Sequence, residues 1–273
     1  MSEPLKLCLF GASGRMGRMI CALASAAPDL SIVGAVGRHD SPHLGRDVGE
    51  LAGVGPLGVV VDADPSSALL GADAVIDFSL ASAFDRMLRA AMQAGVPVVS
   101  GTTRLSPESE ALIDKAATKI PVLWAPNTSL GISVLAATVK QALAALGADY
   151  DVEVVEAHHN QKADAPSGTA TFLAEAAREV RPELRAVFGR EGPIGKRSRD
   201  EIGMHALRGG GVIGDHTVHL IGPHDRLELT HRAMSRELFA AGALRAARFI
   251  VTRPPGRYAL ADMFPSEPHE DPA

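Results

Sequence analysis

Between Glu153 and Thr169 the chain reads EVVEAHHNQKADAPSGT, and no other stretch of its 273 residues gathers as many groups able to move protons or hold anions. His158 and His159 stand side by side, Lys162 follows four residues after the first, and Pro166-Ser167-Gly168-Thr169 leads into a run with helical spacing. Imidazole and ammonium groups donate protons near neutral pH. The first N–H groups of a helix lack internal partners, so this Pro-Ser-Gly-Thr start predicts a seat for a carboxylate or phosphate. Gly168 permits close backbone approach and Thr169 adds a hydroxyl. In an extended strand His158 and His159 point to opposite faces, so both serve one ligand only if the strand ends there. Asn160, Gln161 and the turn residues after them predict that it does. Taken singly, each has a plain structural explanation: a histidine at a strand end, a solvated lysine, a routine helix start. Gathered within twelve residues, they predict a place where an anion is bound and a proton moved.

The elements that must position this stretch begin with a nucleotide fingerprint. The apolar run Leu5–Phe10 stops at Gly11, and GASGRMG (Gly11–Gly17) leads into a helical run that ends before Pro28. A second strand-like run, Ser31–Val36, follows. A G-x-x-G-x-x-G turn is informative only between a strand and a helix, which is where this one lies. Gly11 suits the tight turn, Gly14 the approach of a pyrophosphate, and Gly17 close packing of helix on strand. A carboxylate that would bind the ribose 2′-hydroxyl of NAD is expected about 20 residues on. The chain has Gly37-Arg38-His39 there, a guanidinium beside a missing acid, which favours the 2′-phosphate of NADPH; Asp40 can still reach round, so NADH remains possible.

Short apolar strands (Gly58–Val61, Ala74–Phe78, Val96–Ser100, Pro121–Ala125) alternate with helical runs (Ser66–Leu70, Ala81–Ala94, Pro107–Lys119). That rhythm predicts an α/β fold of Rossmann type, a doubly wound parallel sheet whose ligands lie at the carboxyl ends of the strands. Gly101-Thr102-Thr103 and Ala125-Pro126-Asn127-Thr128 break two of those strands and are expected to face the cofactor. After Asn127 the pattern changes to a long helical run (Ile132–Leu146), a strand-like run (Tyr150–Ala157), a helix (Thr169–Val180) and three β-rich pieces between Gly203 and Met234. The pieces are separated by glycines and Gly-Pro-His-Asp, which predicts hairpin-like pairing. The expected layout is a dinucleotide-binding domain made of residues 1–128 and 240–273, with residues 129–239 forming a second, α+β domain whose sheet is mixed or antiparallel. The tail after Pro254 is expected to run along the surface.

Composition excludes several classes. Hydrophobic residues make up 46% and charged ones 22%, as in ordinary globular proteins. A net charge of −5 without a long basic run argues against nucleic acid, and no run approaches the ~18 apolar residues of a membrane span. Cys8 and Cys21 fall inside apolar strand-like and helix-like patterns and read as buried thiols, so a cytoplasmic protein is expected. His205, His216 and His219 lie in the β-rich part, but no cysteine or carboxylate spacing supports zinc, and no metal site is expected.

GASGRMG, DFS at Asp77–Ser79, GTT at Gly101–Thr103, APN at Ala125–Asn127, EAHHxxKxDAPSGTA at Glu156–Ala170, GDHT at Gly214–Thr217 and FAAGALRAA at Phe239–Ala247 together resemble the 4-hydroxy-tetrahydrodipicolinate reductase family, formerly dihydrodipicolinate reductase, of bacterial diaminopimelate and lysine synthesis. The resemblance implies NAD(P)H-dependent reduction of a cyclic dicarboxylate. It implies His158 as proton donor or acceptor, Lys162 as second donor, and His159, Gly168 and Thr169 as carboxylate holders. Gly11, Ala12, Ser13, Gly14, Arg15, Met16, Gly101, Thr102, Thr103, Ala125, Pro126, Asn127 and Thr128 would line the nucleotide, beside Arg38. A homotetramer built through the second domain is also implied. Three positions depart from the family's pattern: Gly37 replaces a common glutamate, Arg104 a usual glycine, and Thr128 a common aromatic. The alternatives are another NADPH-dependent oxidoreductase acting on a small anion, or a non-catalytic NADP-sensing protein.

Overall fold

The computed structural model describes residues 3–264. The chain divides into two compact units, one formed by residues up to Thr128 together with those from Glu237 onward, the other by Ser129–Arg236. Among the described residues no helix is long and apolar enough to cross a membrane.

The first unit alternates β1 (Leu5–Phe10), α1 (Arg15–Ser25), β2 (Leu30–Val36), α2 (Val48–Ala52), β3 (Val61–Asp62), α3 (Pro65–Ala68), β4 (Ala74–Asp77), α4 (Ala81–Ala94), β5 (Val98–Ser100), α5 (Pro107–Ala117) and β6 (Pro121–Trp124). Continuous apolar runs suit strands covered on both faces, and Leu7, Cys8 and Leu9 of β1 are at most 1% exposed. Helix starts are written locally: Asp64 caps α3 and Ser106 caps α5, each followed by proline at the first helical position.

The second unit contributes α6 (Leu130–Leu146), β7 (Asp151–His158), α7 (Gly168–Val180), β8 (Arg185–Phe188), β9 (Glu201–Arg208), β10 (Asp215–Ile221) and β11 (Arg226–Arg232). The chain then returns to the first unit with α8 (Glu237–Ile250), which packs on β4, β5 and β6, and with β12 (Gly256–Tyr258). The first sheet is wholly parallel in the order β12-β6-β5-β4-β1-β2-β3, so the strand order reverses between β4 and β1, where doubly wound sheets bind ligands. β12 corrects the expectation that the tail only runs along the surface: residues 256–258 pair parallel with Pro121–Leu123 of β6. Arg257 anchors it to Asp114, and Tyr258 stacks edge-on against Phe249. The expected course beyond Phe264 lies outside the described residues.

The second sheet is mixed, in the order β11-β10-β7-β9-β8. Only β10 and β11 form the expected hairpin, closed by Gly222 N–H on Asp225 O. β9 pairs instead with β7, and in parallel, which separates it from β10. Strand β7 alternates strictly, with Val152, Val154, Glu156 and His158 buried on the face packed against α6 and α7. That parity decides which polar side chains meet: Glu156 and His158 share the helix-covered face, and Glu153 points to the other.

On that other face Glu153 accepts two hydrogen bonds from Arg190 at 2.8 Å, one from Arg197 at 2.9 Å and one from His205 Nε2 at 2.7 Å. A Cβ at Gly203 would overlap the carboxylate, so the neighbouring strand leaves room for it. Burial alone would raise the proton affinity of Glu153; Arg190, His205 and Arg197 outweigh it and carry the group down to about 2. A carboxylate depressed on folding stabilises above its ordinary value near 4.5, and that stability is lost as pH falls toward 2. Glu153→Gln is therefore expected to cost about 3 kcal/mol at pH 7 and to flatten the loss of stability between about pH 5 and 3. Denaturant midpoints across that range check this; parallel slopes in the two proteins would refute it.

Candidate active site

At the end of β7 one carboxylate collects four donors. Glu156, 1% exposed, accepts a bidentate pair from Arg208 of β9 (2.8 and 2.8 Å), the backbone N–H of Ser167 (3.0 Å) and His158 Nδ1 (2.6 Å). Burial would raise its proton affinity, but the bonds from Arg208 and His158 bring it below the usual carboxylate range. It is an anion at neutral pH, so His158 Nδ1 carries the proton. For His158 the balance runs the other way: burial pushes its proton affinity down and Glu156 offsets this only in part. The ring is neutral near pH 7, and its Nε2 has no hydrogen-bond partner among the described residues.

The surroundings box this ring in. His216 of β10 meets it edge-on at 5.1 Å between centroids, and a Cβ at Gly214 would come within 3.0 Å of Nε2. Burial, then the proximity of His158, holds His216 itself down at about 4, so it too is neutral. Its Nε2 lies 3.0 Å from Ser167 Oγ, which also accepts the N–H of Ala170 as the N-cap of α7. Lys162 pairs with Asp164 at 2.9 Å, and Asp164 in turn gives its backbone carbonyl to Arg208 at 2.6 Å. His159 follows the end of β7 and lies 3.5 Å from Arg236.

The structure therefore gathers His158, Lys162 and the start of α7, where Ser167, Gly168 and Thr169 lie, around groups to which sequence reasoning assigned no role in this site: Glu156, Arg208, Asp164 and His216. Glu156 had a local signal, since it precedes His158 by two residues and so shares its strand face. Arg208, fifty-two residues from Glu156, had none.

In the first unit Gly11 takes a left-handed φ of +73°, and a Cβ on Gly17 would overlap Gly11 O. Gly14 caps α1 without a side chain, and no acidic residue stands in the first turn. Ala12 is fully buried, while Ser13, Arg15 and Met16 keep exposed surface. This arrangement fits a dinucleotide pyrophosphate, which would take those uncapped N–H groups. Arg38, at the end of β2, is an exposed guanidinium paired with Asp40 at 3.2 Å.

Beyond β4, the buried Asp77 ties the strand ends together. It accepts from Ser100 Oγ and Thr102 Oγ1 at 2.7 Å each and from Ser79 N–H at 3.0 Å. Gly101 lies buried under the Phe78 ring, and Thr103 is exposed. Thr102, expected to line the nucleotide, spends its hydroxyl on Asp77 and Ser79 and is 2% exposed. Thr128 is likewise buried: at 1% exposure its hydroxyl donates to Phe239 O, and Gly242 of α8 lies against its carbonyl. Ala125 is 8% exposed, Pro126 is exposed and Asn127 half-buried. His205 and His219 pair with Glu153 and Glu228, away from His216, so the three histidines do not converge.

A parallel doubly wound sheet with a glycine turn at its switch point, joined to a mixed-sheet unit carrying a histidine-lysine cluster, defines a nicotinamide-dinucleotide oxidoreductase. Two family models match: dihydrodipicolinate reductase N-terminus over residues 5–128 and C-terminus over residues 131–264. The 4-hydroxy-tetrahydrodipicolinate reductase of Anaeromyxobacter dehalogenans strain 2CP-1 is 48% identical, covering 94% of this chain and 97% of its own. That of Alkalilimnicola ehrlichii is 44% identical, covering 94% and 98%. A dipicolinate-bound dihydrodipicolinate reductase from Paenisporosarcina sp. TG-14 superposes with a TM-score of 0.76 at 21% identity, over 96% of this chain and 100% of the other. The chain belongs to the dihydrodipicolinate reductase family.

The structure also accounts for the unusual residue after Gly101-Thr102-Thr103. Arg104 has a φ of +59°, the only left-handed non-glycine residue among those described. A side chain there costs about 1–2 kcal/mol, which a glycine avoids while losing part of the gain to its freer unfolded state. Arg104→Gly is expected to raise Tm by about 1–4 °C, measured by calorimetry, with Arg104→Ala giving no rise.

Proposed function

We propose that this chain reduces 4-hydroxy-tetrahydrodipicolinate to tetrahydrodipicolinate in the route to diaminopimelate and lysine, with NADPH preferred over NADH. The observation that carries the reading is the cluster at the start of α7, where a neutral imidazole, an ion-paired ammonium and a helix N-terminus lie together. One carboxylate of the cyclic substrate takes the N–H groups of Gly168 and Thr169, and the second lies toward His159. A substrate carboxylate competes with Asp164 for Lys162, bringing the ammonium to the ring. Loss of the ring hydroxyl as water leaves a conjugated imine. When bound, the nicotinamide supplies the hydride to this ring. The electron pair displaced through the conjugated system is then quenched by one proton at carbon, so the step consumes one hydride and one proton and releases one water. Lys162 is the donor in this scheme, because His158 is neutral with its proton held on the Glu156 side; His158 Nε2 accepts a proton or a hydrogen bond. Positioning and fixed dipoles supply most of the rate enhancement.

Arg38 is the residue for the 2′-phosphate, supported by the absence of any side chain at Gly37. A Cβ at Gly37 would come within 2.8 Å of Val61, so an acid does not enter that position without displacing it. The chain is assigned to the cytoplasm as a biosynthetic enzyme. It is assigned a homotetramer through the second unit, where Phe188, Ile194 and Leu207 are exposed. No observation favours an aldehyde or semialdehyde reductase, or a sensor without chemistry.

Replacing both His158 and Lys162 with Ala is expected to lower kcat roughly 10²–10⁴-fold while NADPH affinity is kept. NADPH oxidation with freshly generated substrate measures this, and wild-type turnover in the double variant would overturn the assignment. Arg38→Ala is expected to weaken NADPH about tenfold while leaving NADH unchanged, the loss of one exposed charge-assisted contact. Equal weakening of both cofactors in fluorescence titrations would remove Arg38 from 2′-phosphate recognition.

A further inference from the structure

A histidine acts as acid or base through one nitrogen, and which one is free depends on what holds the other. His158 projects from the last residue of β7 into a space enclosed by several elements. Glu156 stands two residues before it on the same strand face, Arg208 comes from β9 and His216 from β10, and Lys162 with Asp164 comes from the turn after the strand. Of these only Glu156 bonds the ring, at 2.6 Å to Nδ1. The same carboxylate takes the N–H of Ser167, whose hydroxyl meets both Ala170 N–H and His216. One buried anion therefore sets the ring of His158 and the first residue of the α7 cap at once.

We propose that Glu156 is a positioning residue for the reductase reaction: it fixes His158 as the Nδ1–H tautomer with Nε2 presented, and holds the N-terminus of α7 in register with that nitrogen. Arg208 is its partner, keeping the carboxylate ionised and its two oxygens oriented. The inference rests on the reading of His158 as an acid–base group, and it makes a claim about the ring that can be tested apart from turnover. A glutamine at 156 offers one acceptor oxygen where the carboxylate offers two, and it presents an amide donor toward groups that are themselves donors. It cannot satisfy Arg208, Ser167 N–H and His158 Nδ1–H together. With the anion gone, the group that pulls His158 toward protonation is also lost, whereas burial, Lys162 and Arg208 still oppose it.

The test uses the full-length protein with 15N-labelled histidine, the His158 signals being assigned by their loss in His158→Gln. In the wild type the shifts are expected to report Nδ1–H; in Glu156→Gln, loss of that single tautomer. In the same variant kcat is expected to fall about 10–100-fold with the KM for NADPH unchanged, and the His158 limb of the pH profile to move down by about one unit. An Nε2–H tautomer in the wild type, or an unchanged tautomer and pH limb in Glu156→Gln, overturns the proposal. Wild-type turnover in His158→Gln overturns the acid–base reading instead, so the two failures are distinct. Should Glu156→Gln fail to fold, Arg208→Lys keeps the cation but not the bidentate pair. It leaves the pull of the Glu156 anion on His158 less opposed, so the Nδ1–H tautomer must persist and the pH limb must move up, and a limb that moves down or not at all overturns the proposal.

Discussion

Taking a carboxylate out of water costs several kcal/mol unless its lone pairs are filled and its charge is matched, and at Glu156 both conditions are met by four hydrogen bonds from three residues. Each partner is drawn from a different place: the strand that carries the acid, the strand beside it, and the loop before α7. The demand of one buried charge therefore brings the end of β7, the end of β9 and the start of α7 to a common point. Breaking such a group by removing one partner leaves an uncompensated charge, which is why the arrangement holds as a unit and not as separate contacts. The groups offered to a ligand, His158 Nε2 and the first turn of α7, are the outward-facing sides of residues whose inner sides this carboxylate has already engaged.

The first unit uses the same device for a different end. Asp77 is fully buried at the carboxyl end of β4, and the hydroxyls of Ser100 and Thr102 close on it from β5 and the turn beyond. Trp124 of β6 donates to the carbonyl of Thr102, so the three successive strand ends are linked side to side. This explains why Thr102 is spent inside the protein although its motif reads as ligand-facing. A GTT sequence at a strand end can serve a cofactor or brace the sheet, and the buried acid on the neighbouring strand engages the side chain of Thr102. Here Thr102 braces, and the exposed surface of the motif is Thr103.

What could be read from the chain follows the range of the interactions involved. The parallel sheet was legible because each βα step is encoded within about thirty residues, in apolar runs, proline-started helices and glycine stops. The alternation of β7 carried a signal that was not used, since it puts Glu156 on the face of His158 and Glu153 on the other. The pairing of β9 with β7 was not legible, because glycine-separated β pieces look alike whether they form hairpins or are parted by another strand. The strands β8 and β12 have four and three residues, too few to show a period, and they exist through pairing with neighbours already in place. Arg208 escaped for a related reason: an arginine at the end of an exposed-looking strand carries no mark of the acid it will meet across the sheet.

The charges around His158 constrain how a dianion can be received. Without ligand, Glu156 is matched by Arg208 and Asp164 by Lys162, while His158 and His216 are neutral, so the cluster is balanced and no cation stands unpaired within it. A dicarboxylate arriving there must either displace Asp164 from Lys162 or bring its own neutralisation. The dipole of α7 supplies part of that, but only a fraction of a charge. The remainder is available from the imidazole: negative charge beside His158 favours its protonated form and works against the burial that now keeps it neutral. Substrate binding and the proton affinity of this ring are then linked, while Lys162 remains the donor at carbon. Such linkage follows from the opposing pulls on His158, burial being the larger and Glu156 working against it.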